Sequence, residues 1–176
     1  MQSQAIKEYR WWFGTLAVWR KWAFLFIAAV VVISDQLSKS WIRTNLLPGE
    51  SFPEIFRISI IHARNTGAAF GLFANQSLVL TIIAIIGLIA IVFLHRYLQQ
   101  STIAGNFALG LIFGGALGNL IDRIRIGHVT DFIYVRLWND VYWPAFNIAD
   151  SCISIGVVLL AFLLIRGLKT EHDIIK

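Results

Sequence analysis

Runs of apolar residues separated by short polar stretches dominate the chain. Four of them, from about Trp22 to Ile42, Leu78 to Leu98, Ile103 to Ile121 and Ile148 to Ile165, each approach the roughly 18–20 residues that carry a helix across a bilayer core. An even number of crossings returns both termini to one side. The first run is not read as a removed signal peptide, because no small-x-small cleavage site follows it and three more spans come after. Between the runs the period changes. Phe56, Ile58 and Ile60 alternate with Arg57 and Ser59, and Val129, Ile133 and Val135 share a parity with Asp131, the period of two expected of strands. Asn65-Thr66-Gly67 marks a turn after the first strand, and Trp138-Asn139-Asp140 interrupts the second. The expected architecture is an α-helical polytopic membrane protein. It is a single domain over residues 1–176, with four transmembrane helices and a small β-sheet element built from the long loops at about 43–77 and 122–147.

Composition agrees with the pattern. Of 176 residues 57% are hydrophobic and 14% charged, where a soluble domain carries about 25% charged residues. The net charge of +5 forms no basic stripe, and several cations flank the apolar runs, as membrane anchors do and nucleic-acid-binding surfaces do not. All seven tryptophans, Trp11, Trp12, Trp19, Trp22, Trp41, Trp138 and Trp143, fall near expected membrane boundaries. Cys152 has no disulfide partner and reads as an ordinary buried thiol. His62, His95, His128 and His172 lack metal-ligand spacing, so no metal and no cofactor is expected. Eight Lys and Arg lie on the side of the termini against six on the other, and Arg20 and Lys21 abut the first span. The expected orientation therefore has both termini in the cytoplasm.

A charge within a span costs about 2.5–3.5 kcal/mol on insertion scales, so Asp35, Lys39, Asp122 and Asp150 each need a reason. Asp35 and Lys39 are spaced i, i+4 and can neutralise each other, with Ser34 and Ser38 completing a polar stripe toward the bundle. An ion pair that fixes helix packing is the simpler reading, and Lys39 so engaged argues against a Ser38-Lys39 nucleophile. Gly110, Gly114 and Gly118 step by four along the third helix, a small-residue ridge for close helix approach. One more step reaches Asp122, with Asn119 beside it, at the expected end of that helix, where the dipole disfavours a carboxylate. At the start of the fourth helix Asn147, Asp150, Ser151 and Ser154 share a face, and there the dipole favours the anion. Asp131 is flanked by Val129 and Phe132-Ile133, surroundings that raise a carboxyl pKa. Two carboxyls in contrasting environments at one depth suggest an acid and base pair. An aspartate dyad and a small proton-coupled membrane transporter both remain open from spacing alone, although the apolar inner halves of helices two and four favour a one-sided site.

Five ordered segments carry a family resemblance: Asp35-Gln36-Leu37-Ser38-Lys39, Arg64-Asn65-Thr66-Gly67-Ala68-Ala69-Phe70-Gly71, Gly114-Gly115-Ala116-Leu117-Gly118-Asn119-Leu120-Ile121-Asp122-Arg123, Gly127-His128-Val129-Thr130-Asp131-Phe132 and Pro144-Ala145-Phe146-Asn147-Ile148-Ala149-Asp150-Ser151. With these the chain resembles the lipoprotein signal peptidase, or signal peptidase II, family, with only the termini unmatched. The resemblance implies an aspartic endopeptidase of the bacterial inner membrane, active near the periplasmic face. It would remove the signal peptide from diacylglyceryl-modified prolipoproteins just before the lipidated cysteine. By motif position it implies Asp131 and Asp150 as the catalytic pair, Asn65, Asn119, Arg123 and Asn147 as residues that line the site, and Asp35 as structural; Asp122 is read as supporting. The partners it implies are the prolipoprotein signal peptide and membrane lipid, with no nucleic acid and no metal, and a monomer is expected.

Overall fold

The computed structural model describes residues 2–67, 73, 75–97, 102–139 and 141–174, with burial and side-chain contacts for those between 22 and 167. In chain order the elements are α1 (Gln2–Asn45), β1 (Ile58–Asn65), α2 (Ser77–Tyr97), α3 (Ile103–Ile126), β2 (Val129–Trp138), β3 (Val141–Phe146) and α4 (Ile148–Ile174). All four helices contain a stretch long and apolar enough to cross a membrane: Trp22–Asn45, Ser77–Tyr97, Ile103–Ile126 and Ile148–Gly167. Trp22, Trp41, Trp138 and Trp143 are all well exposed; Trp11, Trp12 and Trp19 lie outside the residues with described side chains, as do the motif residues Ala68, Ala69, Phe70 and Gly71.

The glycine ridge makes α3 the central helix. A Cβ on Gly114 would lie 2.8 Å from the Ala28 carbonyl oxygen of α1, and one on Gly110 would lie 3.0 Å from that of Phe24. On its other side, α3 meets α4 just as closely, since a Cβ on Gly115 would stand 2.5 Å from the Ala149 carbonyl oxygen. Without side chains at the crossings the backbones themselves come into contact. By contrast, α2 packs chiefly on α3 and leaves Ile82, Ile83, Ile86 and Phe93 exposed, as a lipid-facing helix does.

The sheet is antiparallel, in the order β1-β2-β3. Its inner face rests on the end of α1, where Ile42, Leu46 and Phe132 form a buried cluster with Ile60, Ile133 and Ile148 packed against it.

Five expectations are corrected. The first strand begins at Ile58 rather than Phe56, because Phe56 (φ 51°) and Arg57 (φ 67°) are the centre of a two-residue turn closed by hydrogen bonds in both directions between Ile55 and Ile58. Both central residues at positive φ is the geometry of a primed hairpin turn, which sequence normally signals with Asn-Gly. The second region is two strands, β2 and β3, that turn back at Asn139 (φ 43°). The third helix continues to Ile126 and is capped by left-handed Gly127 (φ 77°), whose N–H donates to the Arg123 carbonyl; Asp122 therefore lies inside the helix rather than at its end. Ser34 is exposed and off the buried face, and Cys152 is half-buried rather than buried.

Candidate active site

Most of the polar residues singled out from the sequence converge where α1, α3, α4 and the sheet meet. Asn147 is the N-cap of α4 and fully buried. Its Oδ1 accepts from the Asp150 N–H at 2.9 Å, while the Asp150 Oδ2 accepts from the Asn147 N–H at 3.2 Å. This reciprocal cap satisfies two of the donors that a helix start leaves open and seats Asp150 in the first turn, where the dipole favours its negative charge.

The same asparagine reaches the sheet. Asn147 Nδ2 donates to Asp131 Oδ1 at 2.6 Å, and Asn65 Nδ2, at the end of β1, donates to Asp131 Oδ2 at 2.8 Å. Asn65 is fixed in turn by its Oδ1, which accepts from the Gly67 N–H at 2.9 Å in the turn read from the sequence. Asp131 is 2% exposed. Burial, and then the neighbouring charge of Asp150, push its carboxyl from the ordinary 3.8 up to about 7, against the opposing pull of the two asparagine donors. Asp131 is thus poised to hold a proton near neutrality, beside Asp150 in the first turn of α4.

Asn119 completes the connection. Its Nδ2 donates to Asp150 Oδ1 at 2.8 Å, and its Oδ1 accepts from Asn147 Nδ2 at 3.1 Å and from Lys39 Nζ at 2.8 Å. Behind it, Lys39 pairs with Asp35 at 2.8 Å, as expected from the sequence, and also with Asp122 at 3.4 Å. Three further members of this layer were not among the candidate site residues. Gln36 Nε2 lies within hydrogen-bond distance of Asp35, Asp122 and the Gly118 carbonyl, and Arg43 reaches both Asp122 and Thr130. Their spacing is that of any polar residue near a span end, so only the approach of α3 exposes their role.

A cavity of about 700 Å³ opens against this network. Asp150, Asn119, Asn65 and Arg123 supply its polar wall; Leu80 and Ile83 of α2 and Ile153 and Ile155 of α4 supply an apolar one. Arg123 donates to the Gly67 carbonyl at 3.3 Å, while its buried Nε has no partner among the described residues. Among the described residues, no group of three or more His, Cys, Asp or Glu is placed to hold a metal.

Residues 26–166 match the model of the family described as signal peptidase (SPase) II. The chain belongs to the signal peptidase II family. It is a peptidase of the aspartic class, and its family together with its apolar helices makes it a bacterial inner-membrane protein. Relatives named lipoprotein signal peptidase include those of Moorella thermoacetica, 44% identical over 81% of this chain and 92% of that one, and Pseudomonas aeruginosa, 40% identical over 84% and 90%. A solved bacterial membrane enzyme shares the fold with TM-score 0.75 at 38% identity, covering 84% of this chain and 90% of its own. These relatives lend nothing to the transporter alternative.

Proposed function

We propose that this signal peptidase II removes the signal peptide from diacylglyceryl-modified prolipoproteins by cutting just before the lipidated cysteine, with Asp131 and Asp150 as its catalytic pair. The observation that carries the assignment is the shared asparagine. Asn147 holds both carboxylates at once, one buried with its proton affinity raised and one capping a helix on the cavity wall.

In this mechanism Asp150 takes a proton from water as the oxygen adds to the scissile carbonyl carbon, and Asp131 gives its proton to the carbonyl oxygen. The tetrahedral intermediate then collapses. The C–N bond breaks, the proton held by Asp150 passes to the leaving amine, and Asp131 takes its proton back from a hydroxyl of the intermediate, whose oxygen becomes the carbonyl of the new carboxyl group. Neither a nucleophilic side chain nor a metal takes part. Asn65, Asn119 and Asn147 orient the carboxyls, and Arg123 faces the substrate backbone from the cavity wall.

The substrate helix enters from the lipid between α2 and α4, whose apolar residues form one wall of the cavity. Acyl chains contribute about 0.8 kcal/mol per buried CH₂ to membrane anchoring, so the peptide reaches the site within the plane of the bilayer. The enzyme works as a monomeric single domain, with its termini in the cytoplasm and the dyad near the periplasmic face.

Purified protein incubated with one prolipoprotein in diacylglyceryl-modified and unmodified forms tests this reading, with the released peptide followed by mass spectrometry. Cleavage of the modified form alone, absent with Asp131→Asn and with Asp150→Asn, is expected. Near-full turnover by either folded variant would remove the dyad assignment.

A further inference from the structure

Two buried carboxylates beside the site take no part in the proposed chemistry, yet each grips the backbone next to a residue that does. Asp35 Oδ1 accepts from the Ala149 N–H at 3.0 Å, immediately before Asp150. Asp122 Oδ2 accepts from the Thr130 N–H at 3.1 Å, immediately before Asp131. One cation joins the two grips, since Lys39 Nζ lies 2.8 Å from Asp35 and 3.4 Å from Asp122.

An ammonium has three protons, and the third contact of Lys39 is the Asn119 Oδ1 at 2.8 Å. That contact sets the direction of the amide. With its oxygen taken by Lys39 and by Asn147 Nδ2, Asn119 can only turn its NH₂ toward Asp150. A flipped amide would set its NH₂ against two donors and its oxygen against a carboxylate. An ion pair serving helix packing alone needs only Asp35 one turn away; it does not need the other two contacts. Lys39 is also fully buried, so nothing in solvent competes for its protons.

We propose that Lys39 is a positioning residue for the hydrolysis: it draws the backbone ahead of both aspartates to one point and fixes the Asn119 amide as a donor to Asp150. The proposal rests on the assignment of Asp131 and Asp150 as the catalytic pair. The charged groups facing Asp131 are Asp150 from α4, Lys39 from α1 and Arg123 from α3, with Asn65 of β1 and the α4 cap Asn147 as its hydrogen-bond donors. Lys39 lowers the proton affinity of Asp131, so loss of its charge moves the alkaline limb of activity to higher pH.

Lys39→Met alone takes the cation from buried Asp35, leaves Asp122 with Arg43 alone, and threatens folding. The paired variant Asp35→Asn with Lys39→Met removes one charge of each sign and keeps an acceptor for the Ala149 N–H. Thermal midpoint, kcat, KM and the pH profile are measured on this double variant in detergent, with Asp150→Asn alongside. The expected result is a thermal midpoint near that of the parent and KM within about twofold. A kcat lower by roughly 10- to 100-fold, the scale of a misplaced reacting group, and an alkaline limb at higher pH are expected with them. If kcat and the pH profile return to the parent's while Asp150→Asn is inert, Lys39 serves stability alone and the positioning role is overturned. If Asp150→Asn itself turns over, the dyad reading fails, and with it the proposal.

Discussion

Replacing Asp131 with Asn should change how the stability of the protein depends on pH. A buried carboxyl whose proton affinity rises from 3.8 to about 7, at about 1.4 kcal/mol for each tenfold change, resists ionisation by roughly 4 kcal/mol. Between those two values the folded protein keeps a proton that the unfolded chain has released. The folded state therefore binds more protons, and stability falls as pH rises from about 4 to about 7, then levels. Asn cannot ionise and escapes this loss. The substitution also sets an amide NH₂ against one of the donors Asn65 and Asn147, an offset of about 1–3 kcal/mol that is the same at every pH. The signal is therefore the slope. Unfolding of parent and variant in detergent, compared at pH 4.5 and pH 8 as experimental settings, should show the variant gaining roughly 3 kcal/mol relative to the parent, since part of the loss has already occurred below pH 4.5. A difference between the two proteins that stays constant across that range would refute a protonated Asp131 as a feature of the folded state.

The same proton sets the activity profile, in which turnover by the parent should decline above about pH 7 as Asp131 ionises, measured as kcat/KM against pH. Gly118→Ala should lower the thermal midpoint by the equivalent of about 1–3 kcal/mol and impair cleavage, because the new Cβ would lie 2.6 Å from Asp35 Oδ2. Gly87→Ala, with nothing within 4 Å of the added carbon, should leave cleavage intact and raise stability by up to about 1 kcal/mol. Asn147→Ala should cost about 1 kcal/mol as a lost helix cap and abolish turnover, since it releases both aspartates; retained turnover would show that the shared asparagine is dispensable.

The spans, the glycine ridge and the polar residues at the ends of the helices were legible in the chain, because each rests on a property that acts locally. Apolar length decides what can cross a bilayer. The step of four from Gly110 to Gly118 decides which face another helix can approach. Asn147 and Asp150, three residues apart, cap their own helix wherever it is placed. The environments of Asp131 and Asp150 were readable for the same reason, one amid apolar strand neighbours and the other in a helix first turn.

The contacts made across the chain, and the one turn whose residues conceal it, depend on how the elements pack. Phe56 and Arg57 take positive φ without the glycine or asparagine that would announce it, since pairing across Ser51–Ile61 and Ile55–Ile58 imposes the turn. Asp122 looked like a carboxylate at a helix end until α3 was seen to run on to Gly127. Its grip on Thr130, like that of Asp35 on Ala149, joins residues near in space whose partnership no periodicity encodes. Lys39 carried the same ambiguity. From the sequence it could be paired with its neighbour one turn away, but its contacts with Asp122 and Asn119 exist because glycines let α1 and α3 approach to backbone contact. A chain pattern records what each residue prefers for itself; which donors face which carboxylates follows from how close the helices come.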